Sequence, residues 1–505
     1  MSVTMKIKNA IFSVLILFTI SVSCQQSNEI LLDSDSSIKA EELREKLYIY
    51  SSDEFGGRGT PSVGQDLAVE YLINHYKGLG IESLQENTYK QGVELQFNNK
   101  PDSYLKINDK EFDYYYDYIS YNSGPKVNIN SKDFVYVGYG IDDPNYSDYK
   151  DLDVKGKIVI AIEGEPKDGN GKYVTNNSQS KSKWSNTRLE LNSKKVAAAK
   201  NGATSLILIH DYFYRRYASE QYESDNGSGE KRMSLSNFEE NNIHVLLFNP
   251  KHKKFLTDNQ NEIVFNYEKN VEKFIANNVA AVIKGSEFPD EYIIITAHLD
   301  HEGIKDGIIY PGADDDGSGS VGMLEIAEAF AYAKKMGFEP KRSIIFLHVT
   351  AEERGLLGSK YYADYDPLVP LENTVANLNI DMIGRTDPKR GIRNVNYIYI
   401  IGSDFLSDDL HNINLNSNSK YVNLELDNRY NSIDDPNQFY YRSDHFHFVK
   451  NNVPAIFYFS GVHEDYHKPT DTADKILYDV LEKRIKLIFH TAWELANRDE
   501  RIKLN

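Results

Sequence analysis

Histidines and acidic residues cluster where apolar stretches of this chain end. The segment TAHLDHEG follows a run of isoleucines and carries His298 and Asp300, and PGADDDGSGS, which contains Asp315, comes a few residues later. A solvent-exposed loop has no need of such a set, whereas imidazole and carboxylate groups are ordinary ligands of divalent cations. These residues indicate a metal site whose remaining ligands lie elsewhere in the chain.

Further ligand candidates follow other apolar runs. KRSIIFLHVTAEE ends in Glu352 and Glu353, VANLNIDMIGR contains Asp381, and DYHKPTDT contains His467. Two histidines with three carboxylates suit a pair of borderline cations, most often zinc. Two cations held about 3.5–4 Å apart repel each other, so a carboxylate shared between them is expected. Asp315, in a glycine-rich turn that opens a helix, is the predicted bridge.

The predicted ligands divide into two halves around Asp315. One cation would take His298 and Asp381, and the other would take Glu353 and His467. Each half keeps an open coordination position for water and substrate. The sequence therefore predicts a dinuclear centre that can hydrolyse its substrate.

Two residues beside the ligands receive supporting roles. Glu352 precedes a ligand and is the predicted general base, taking a proton from water and passing it to the leaving amine. Asp300, two residues after His298, is predicted to accept the second imidazole N–H and so to set the tautomer.

The ordered motifs resemble those of the M28 family of co-catalytic zinc peptidases, which includes aminopeptidases. The similar blocks, in the family's order, are AHLDHEG, GADDDGSGS, TAEERGLLGS, NLNIDMIGR and DYHKPTDT. The resemblance implies the same five ligands and base, two Zn²⁺ per chain (other divalent metals can occupy such ligands) and peptides as substrates. It also implies an oxyanion donor, Tyr466, and it places Asp444, in RSDHFHF, beside the site without assigning it a role.

Single motifs of this set have other readings. DDDGSG alone is typical of a solvated acidic turn or a calcium loop, and a pair of glutamates after a strand often only opens a helix. His301 competes with His298 as a ligand, and the family pattern favours His298. His348, inside an apolar strand, is predicted to be a core residue. The ordered set, more than any one motif, supports the metal site.

Three functions are compatible with this scaffold. The preferred one is a metallo-aminopeptidase, an exopeptidase that removes N-terminal residues. The alternatives within enzymes are a carboxypeptidase or dipeptidase and, with one zinc, a glutaminyl cyclase. A non-catalytic surface binding protein is the third, but relatives of that kind have lost ligands, and no ligand position departs from the pattern here.

The elements that must position these residues alternate between apolar strands and helices over residues 271–505. That alternation predicts an α/β fold, an α/β/α sandwich around a mixed, mainly parallel sheet, with functional residues at the carboxyl ends of strands. Residues 38–90 have helical periodicity and are assigned to the same peptidase domain. Residues 91–270, with short β-type runs, resemble a β-rich protease-associated (PA) domain inserted into it.

The N-terminal residues have the order of an export signal. Residues 1–24 contain two lysines, an apolar run too short to span a membrane and small residues before Cys24, the only cysteine. Cys24 resembles a lipidated cysteine, although Ser21 departs from the usual lipobox. Residues 25–37 read as a polar tether. We expect an exported protein, either a lipoprotein in the bacterial periplasm or outer membrane or a secreted one.

Bulk composition limits the partners. The chain has 505 residues and a formal net charge of −18, which disfavours nucleic acid and anionic membrane surfaces because binding phosphate requires basic patches. Membrane association is expected only through the lipid anchor. The sequence carries no signal for an oligomeric state.

Overall fold

The chain forms two compact units in the computed structural model, which describes residues 29–121, 124, 126–187, 189–227, 230–236, 243–257, 262–391 and 394–505. The first unit contains the described residues up to Val93 and Ile275–Asn505, and the second is Glu94–Phe274. Sequence analysis placed the inserted segment at 91–270, and both boundaries fall inside long strands.

Residues 29–37 are helical. The α-helices that follow in the described part of the chain are α1 (Ala40–Tyr50), α2 (Val63–Leu79), α3 (Glu190–Lys200), α4 (Asp211–Asp225), α5 (Lys253–Leu256), α6 (Gly319–Lys335), α7 (Leu357–Lys360), α8 (Asp408–Ser417), α9 (His445–Lys450) and α10 (Tyr478–Asn497).

The β-strands are β1 (Glu82–Ser83), β2 (Lys90–Ile107), β3 (Lys110–Phe112), β4 (Tyr118–Tyr121), β5 (Lys126–Ser131), β6 (Phe134–Tyr136), β7 (Asp142–Asp143), β8 (Tyr146–Ser147), β9 (Ile158–Ile162), β10 (Ser205–Ile209), β11 (Met233–Leu235), β12 (His244–Phe248), β13 (Ile263–Ile283), β14 (Phe288–His298), β15 (Gly303–Lys305), β16 (Ile308–Tyr310), β17 (Arg342–Val349), β18 (Thr374–Ile380), β19 (Tyr397–Ile401), β20 (Glu425–Asp427) and β21 (Ala455–Phe459).

A mixed sheet forms the centre of the first unit, in the order β13-β17-β14-β18-β21-β19-β20. The strands β17, β14, β18 and β21 run parallel to one another, and β19 also pairs in parallel with β20. β13 and β19 pair antiparallel to their neighbours β17 and β21. This arrangement confirms the predicted α/β fold with a mainly parallel sheet.

Both faces of this sheet are covered, because its strands are apolar on both sides. Ile293 and Ile295 of β14 pack into one core with α1, α2, α6 and α10. Ile294, between them, packs into a second core on the opposite face with Tyr362 and with Phe448 of α9. Successive side chains of a strand point to opposite faces and so pack into two different cores. This packing agrees with the predicted α/β/α layering.

The second unit contains a smaller sheet in the order β4-β12-β10-β9-β6. The central strands β12, β10, β9 and β6 are parallel, whereas β4 is antiparallel to β12. Helices α3 and α4 pack against one face of this sheet through Ala198 and Phe213. The unit therefore has a core of its own.

The prediction of a polar tether over 25–37 is wrong for its described part. Residues 29–37 are helical, and Ile30 and Leu31 are buried in the core that covers one face of the first unit's sheet. Their apolar side chains gain more from burial than an extended linker would allow. The predicted signal, Cys24 and the start of the tether lie outside the described residues. Among those described, no helix combines the length and apolarity needed to cross a membrane.

Candidate metal centre

Three neighbouring parallel strands bring three of the five predicted ligands, His298, Glu353 and Asp381, to one edge of the sheet. β14 ends at His298, β18 ends one residue before Asp381, and β17 ends three residues before Glu352. The register pairs His298 with Val349, the last residue of β17. Because the carboxyl ends of parallel strands coincide, side chains far apart in sequence converge here.

Asp315 lies between two groups of ligands, as a bridging carboxylate must. Its Oδ1 is 3.3 Å from His298 Nε2, and that nitrogen is 3.7 Å from Asp381 Oδ1. Its Oδ2 is 3.2 Å from His467 Nε2, which is 3.1 Å from Glu353 Oε2. The structure thus brings all five predicted ligands together in the predicted two halves.

The second half contains one more donor than the sequence predicts. His301 is fully buried, and its Nδ1 lies 2.8 Å from Glu353 Oε1 and 3.7 Å from Asp315 Oδ2. His467 Nε2 contacts the same Asp315 oxygen, Oδ2, and the other oxygen of Glu353, Oε2. Both histidines are therefore placed to ligate here.

Hydrogen bonds fix the tautomers of the two histidines predicted as ligands. His298 Nδ1 lies 3.0 Å from the backbone oxygen of Asp300, which can only accept. His467 Nδ1 lies 2.9 Å from Glu302 Oε1. In each ring Nδ1 donates its proton to that acceptor, so Nε2 is the nitrogen that faces the shared carboxylate and can meet a cation.

The predicted role of Asp300 is therefore corrected. Its backbone oxygen, not its carboxylate, accepts from His298. The carboxylate Oδ1 instead accepts from the backbone N–H of Glu352 at 3.0 Å. The Asp300 side chain therefore ties the segment after β17 to the segment after β14.

Several residues that hold the ligands in place were missed by sequence analysis. Ser443 donates to Asp381 Oδ2 at 2.6 Å and accepts from Asn379 Nδ2 at 2.8 Å. Asp471 Oδ2 accepts from the backbone N–H of Asp315 at 3.2 Å. Ser443 and Asp471 both stand inside motifs already singled out, but a neutral serine and a seventh carboxylate carry no spacing signal that would separate them from turn residues.

Asp316, beside the bridge, holds three segments together. Its Oδ2 accepts from the backbone N–H of His298 at 3.2 Å. Its Oδ1 accepts from the N–H groups of Gly319 at 3.0 Å and Met382 at 3.1 Å. The end of β14, the start of α6 and the residue after Asp381 are thereby fixed relative to one another.

Asp444 and Tyr466 lie near the ligands in different ways. Asp444 is buried beside Ser443, both its carboxylate oxygens lack a hydrogen-bond partner among the described residues, and burial raises its pKa to about 7. Tyr466 lines a cavity together with Asp315 and Glu352. Its ring stacks on His467 with centroids 3.8 Å apart.

The electrostatics of the cluster favour a positive charge between these groups. Burial lowers the pKa of His467, but hydrogen bonds with Asp315, Glu302 and Glu353 outweigh it and raise that pKa to about 12. His298 Nε2 lies 3.3 Å from Asp315 Oδ1 and is buried without a hydrogen-bond partner among the described residues, as is His301 Nε2. Buried ring nitrogens that lack hydrogen bonds and lie beside carboxylates suit metal ligands, so the donor set fits divalent cations.

The two adjacent glutamates differ in acidity. Burial, with the charges of Glu353 and Asp381, raises the pKa of Glu352 well above its usual range. Burial also favours a higher pKa for Glu353, but hydrogen bonds from His301 and His467 outweigh it and hold that pKa below the ordinary value. Two carboxyl groups with separated pKa values suit a proton carrier and an ionised ligand.

Comparison with known proteins agrees with this geometry. The signature of peptidase family M28 matches residues 278–492. A probable leucine aminopeptidase of Aspergillus oryzae is 33% identical over 191 residues, which cover 36% of this chain and 33% of that protein. A probable zinc metalloprotease of Pyrenophora teres f. teres is 37% identical over 117 residues, 22% of this chain and 24% of that protein. The matches thus span a third or less of these relatives.

Two further similarities extend the comparison. A probable glutamate carboxypeptidase of Arabidopsis thaliana is 37% identical over 105 residues, 21% of this chain and 14% of that protein. Among solved structures, an aminopeptidase from Aneurinibacillus sp. strain AM-1 superposes with a TM-score of 0.49 and 19% identity, covering 92% of this chain and 96% of that one.

Proposed function

Since the chain contains a peptidase family M28 domain over residues 278–492, we propose that it is a metal-dependent exopeptidase that hydrolyses N-terminal residues from peptides. The observation that carries the proposal is Asp315, whose two carboxylate oxygens face two separate sets of histidine and carboxylate groups. The proposed cofactor is two Zn²⁺ per chain, one held by His298 and Asp381 and one by Glu353 and His467, with Asp315 shared.

Glu352 is the proposed general base. When bound, the zinc ions supply Lewis-acid polarisation of the scissile carbonyl and activation of water. Glu352 lines the same cavity as the ligands, and its raised pKa makes it an acceptor that releases its proton again. It takes a proton from the attacking water and delivers it to the amine nitrogen as the peptide bond breaks.

Tyr466 is the proposed donor to the carbonyl oxygen as that oxygen gains negative charge. Burial, together with the charges of Asp315 and Glu353, raises the pKa of Tyr466 far above its ordinary value. The phenol therefore keeps its proton at neutral pH and is available as a hydrogen-bond donor throughout the reaction.

The cavity wall indicates which substrates fit. Beside the acidic groups it is lined by Met382, Phe439, Phe457 and Phe459. An apolar side chain of the residue being removed would bury its surface against these groups, at about 25 cal/mol per Å². We therefore expect faster hydrolysis of leucyl or phenylalanyl substrates than of aspartyl ones.

One experiment tests the proposal directly. Purified protein is assayed for aminoacyl-4-nitroanilide hydrolysis before and after chelation, and zinc per chain is measured on the same sample. We expect activity to vanish on chelation and to return with zinc, at two zinc ions per chain. A folded, zinc-loaded protein that is inert on every free-amine peptide would refute the proposal, and a single zinc per chain would favour the cyclase alternative.

A carboxypeptidase is the second candidate, favoured by one observation. Arg442 is the one cationic residue among the described residues that line the cavity, and its Nη2 lies 3.4 Å from the Tyr466 hydroxyl. A guanidinium at that position could bind a C-terminal carboxylate. Peptides with a blocked amino terminus distinguish the two activities, because only a carboxypeptidase hydrolyses them.

Export and lipid anchoring are part of the proposal. Their support is the order of basic, apolar and small residues before Cys24. The mature amino terminus can be read by mass spectrometry, which is expected to show an acylated Cys24. The second unit, Glu94–Phe274, is likewise proposed to be a PA-like insertion, on the motifs given above.

A further inference from the structure

A buried arginine of the N-terminal segment contacts the loop that carries the metal ligands. Arg58 is 1% exposed, and its guanidinium donates four hydrogen bonds. Nε donates to the backbone oxygen of Leu299 at 3.1 Å, and Nη1 to those of Tyr50 at 3.1 Å and Pro311 at 2.7 Å. Nη2 donates to that of Gly312 at 2.8 Å. Every acceptor is a backbone carbonyl.

Two of these carbonyls lie near predicted metal ligands in the sequence. Leu299 directly follows His298, the first predicted ligand, and Gly312 stands three residues before Asp315, the predicted bridge. Between them the chain leaves the sheet and returns through the hairpin β15-β16. Arg58 therefore joins the outgoing and returning ends of the segment that separates two ligands.

A second side chain supports the same point. The hydroxyl of Tyr50, at the end of α1, also donates to the Leu299 oxygen, at 3.2 Å. The Arg58 guanidinium lies over the Tyr50 ring, 4.7 Å from its centroid. The Leu299 carbonyl is thus held by two donors from the N-terminal segment.

The backbone around Arg58 fits closely against the same loop. Gly57 has a φ of +67°, and a Cβ there would lie 2.3 Å from the Tyr310 oxygen. A Cβ on Gly59 would lie 2.8 Å from the Cα of Gly303. Both positions require glycine, because any side chain would push the hairpin away.

The charge of Arg58 is not used in an ion pair. No carboxylate lies within 4.0 Å of it among the described residues, whereas a buried cation is ordinarily paired with an acid. Four of its five N–H groups donate to backbone carbonyls instead. The side chain is suited to hold backbone in a fixed geometry.

We propose that Arg58, assisted by Tyr50, is a positioning residue of the metal centre, setting the distance between His298 and Asp315. The inference rests on the proposed function, since it assumes that these two residues ligate zinc. It adds that the N-terminal segment, distant in sequence, determines zinc affinity.

The test compares zinc binding by the full-length wild-type protein and its Arg58→Lys and Arg58→Met variants. Zinc content and zinc Kd are measured by competition with a chromophoric chelator, and thermal unfolding is followed with and without zinc. Both variants are expected to bind zinc about 10- to 100-fold more weakly, the range found when groups that orient ligands are removed. The Met variant should be the weaker binder, since Lys keeps one donor group.

The matched control is Arg342→Lys. Arg342 is also 1% exposed and donates to the backbone oxygens of Leu495 and Arg498. Arg342 is the first residue of the eight-residue strand β17, and the ligands follow the opposite end of that strand. At a rise of about 3.3 Å per residue, the length of the strand separates Arg342 from them. This variant should unfold at a lower temperature and keep wild-type zinc affinity.

Two results would overturn the inference. One is wild-type zinc affinity in Arg58→Lys together with a loss of thermal stability like that of Arg342→Lys. If neither Arg58 variant folds, Tyr50→Phe decides: it removes one donor to Leu299, and wild-type zinc affinity in this folded variant would refute the proposal. A wild-type protein that binds no zinc would instead refute the proposed function.

Discussion

The two oxygens of Asp315 face different histidines, and each histidine is committed to one tautomer by an acceptor behind it. For His298 that acceptor is a backbone oxygen, and for His467 it is the Glu302 carboxylate. A substitution at Asp300 leaves its backbone oxygen in place, whereas a substitution at Glu302 removes the carboxylate that accepts from His467. The Asp315 side chain thus determines where the cations would lie. The acceptor behind each imidazole determines which of its nitrogens meets a cation.

Adjacent glutamates offer a direct comparison of base and ligand. Glu352→Gln should keep two zinc ions and lower kcat about 10²- to 10⁴-fold, because the amide cannot carry the proton. Glu353→Gln should lose zinc as well as activity, since it removes a ligand. Zinc content and kcat of both purified variants check this; loss of zinc from Glu352→Gln would show that its carboxylate ligates.

Ser443 supports Asp381 without touching a cation. Ser443→Ala removes the 2.6 Å hydrogen bond to Asp381 Oδ2, and zinc affinity should fall about 10- to 100-fold. Chelator competition measures the effect. Ser419→Ala, at an exposed position of the π-helical segment Asn418–Val422, is the control, and an equal loss in both variants would contradict a specific role.

At the scale of elements, the helices are joined to one another by charged groups as well as by apolar packing. Lys46 of α1 lies 3.0 Å from Glu328 and contacts Glu325, both on α6. Glu328 also lies 2.8 Å from His75 of α2. Three helices meet at this cluster, so its protonation bears on the stability of that helical layer.

Glu325 and Glu328 should give the first unit opposite pH dependences. Burial raises the pKa of Glu325 to about 7 from 4.5, so the folded state binds its proton more tightly than the unfolded state does. Its contribution to stability is present below pH 4.5 and is lost as the pH rises through 7, by about 3 kcal/mol at most. Glu325→Gln should remove this loss.

Glu328→Gln is the matched control. Burial is outweighed by His75 and Lys46, which lower the pKa of Glu328. Its contribution is present above pH 4.5 and is lost as the pH falls through the lowered pKa. Urea unfolding of the wild-type protein and both variants from pH 3 to 8 measures the difference; slopes of the same sign would contradict the assignment.

At the scale of the whole molecule, the centre gathers four carboxylates that repel one another unless cations are bound: the buried Asp315 and Asp381 and the partly buried Glu352 and Glu353. Removal of the metal should therefore lower Tm. Zinc at about 1,000 times its Kd should restore about 4 kcal/mol. Thermal scans of chelated and zinc-restored protein check this, and a Tm indifferent to verified zinc content would contradict it.

Much of this protein follows from local sequence pattern. Apolar runs such as that ending at His298 predict buried strands, and in a parallel sheet the residues after such strands meet at one edge. The five predicted ligands and the α/β layering needed no further information. These features follow from strand periodicity and from the chemistry of side chains that metals require.

Other features depend on tertiary contacts that no spacing encodes. The way in which loops from different strands cross decides whether His298 meets the Asp300 carboxylate or its backbone oxygen. It also brings Ser443 to Asp381. The same holds for Arg58, because three of its four backbone acceptors lie more than 240 residues away in sequence. Backbone carbonyls are the same at every residue, so only the folded chain decides which of them a buried donor reaches.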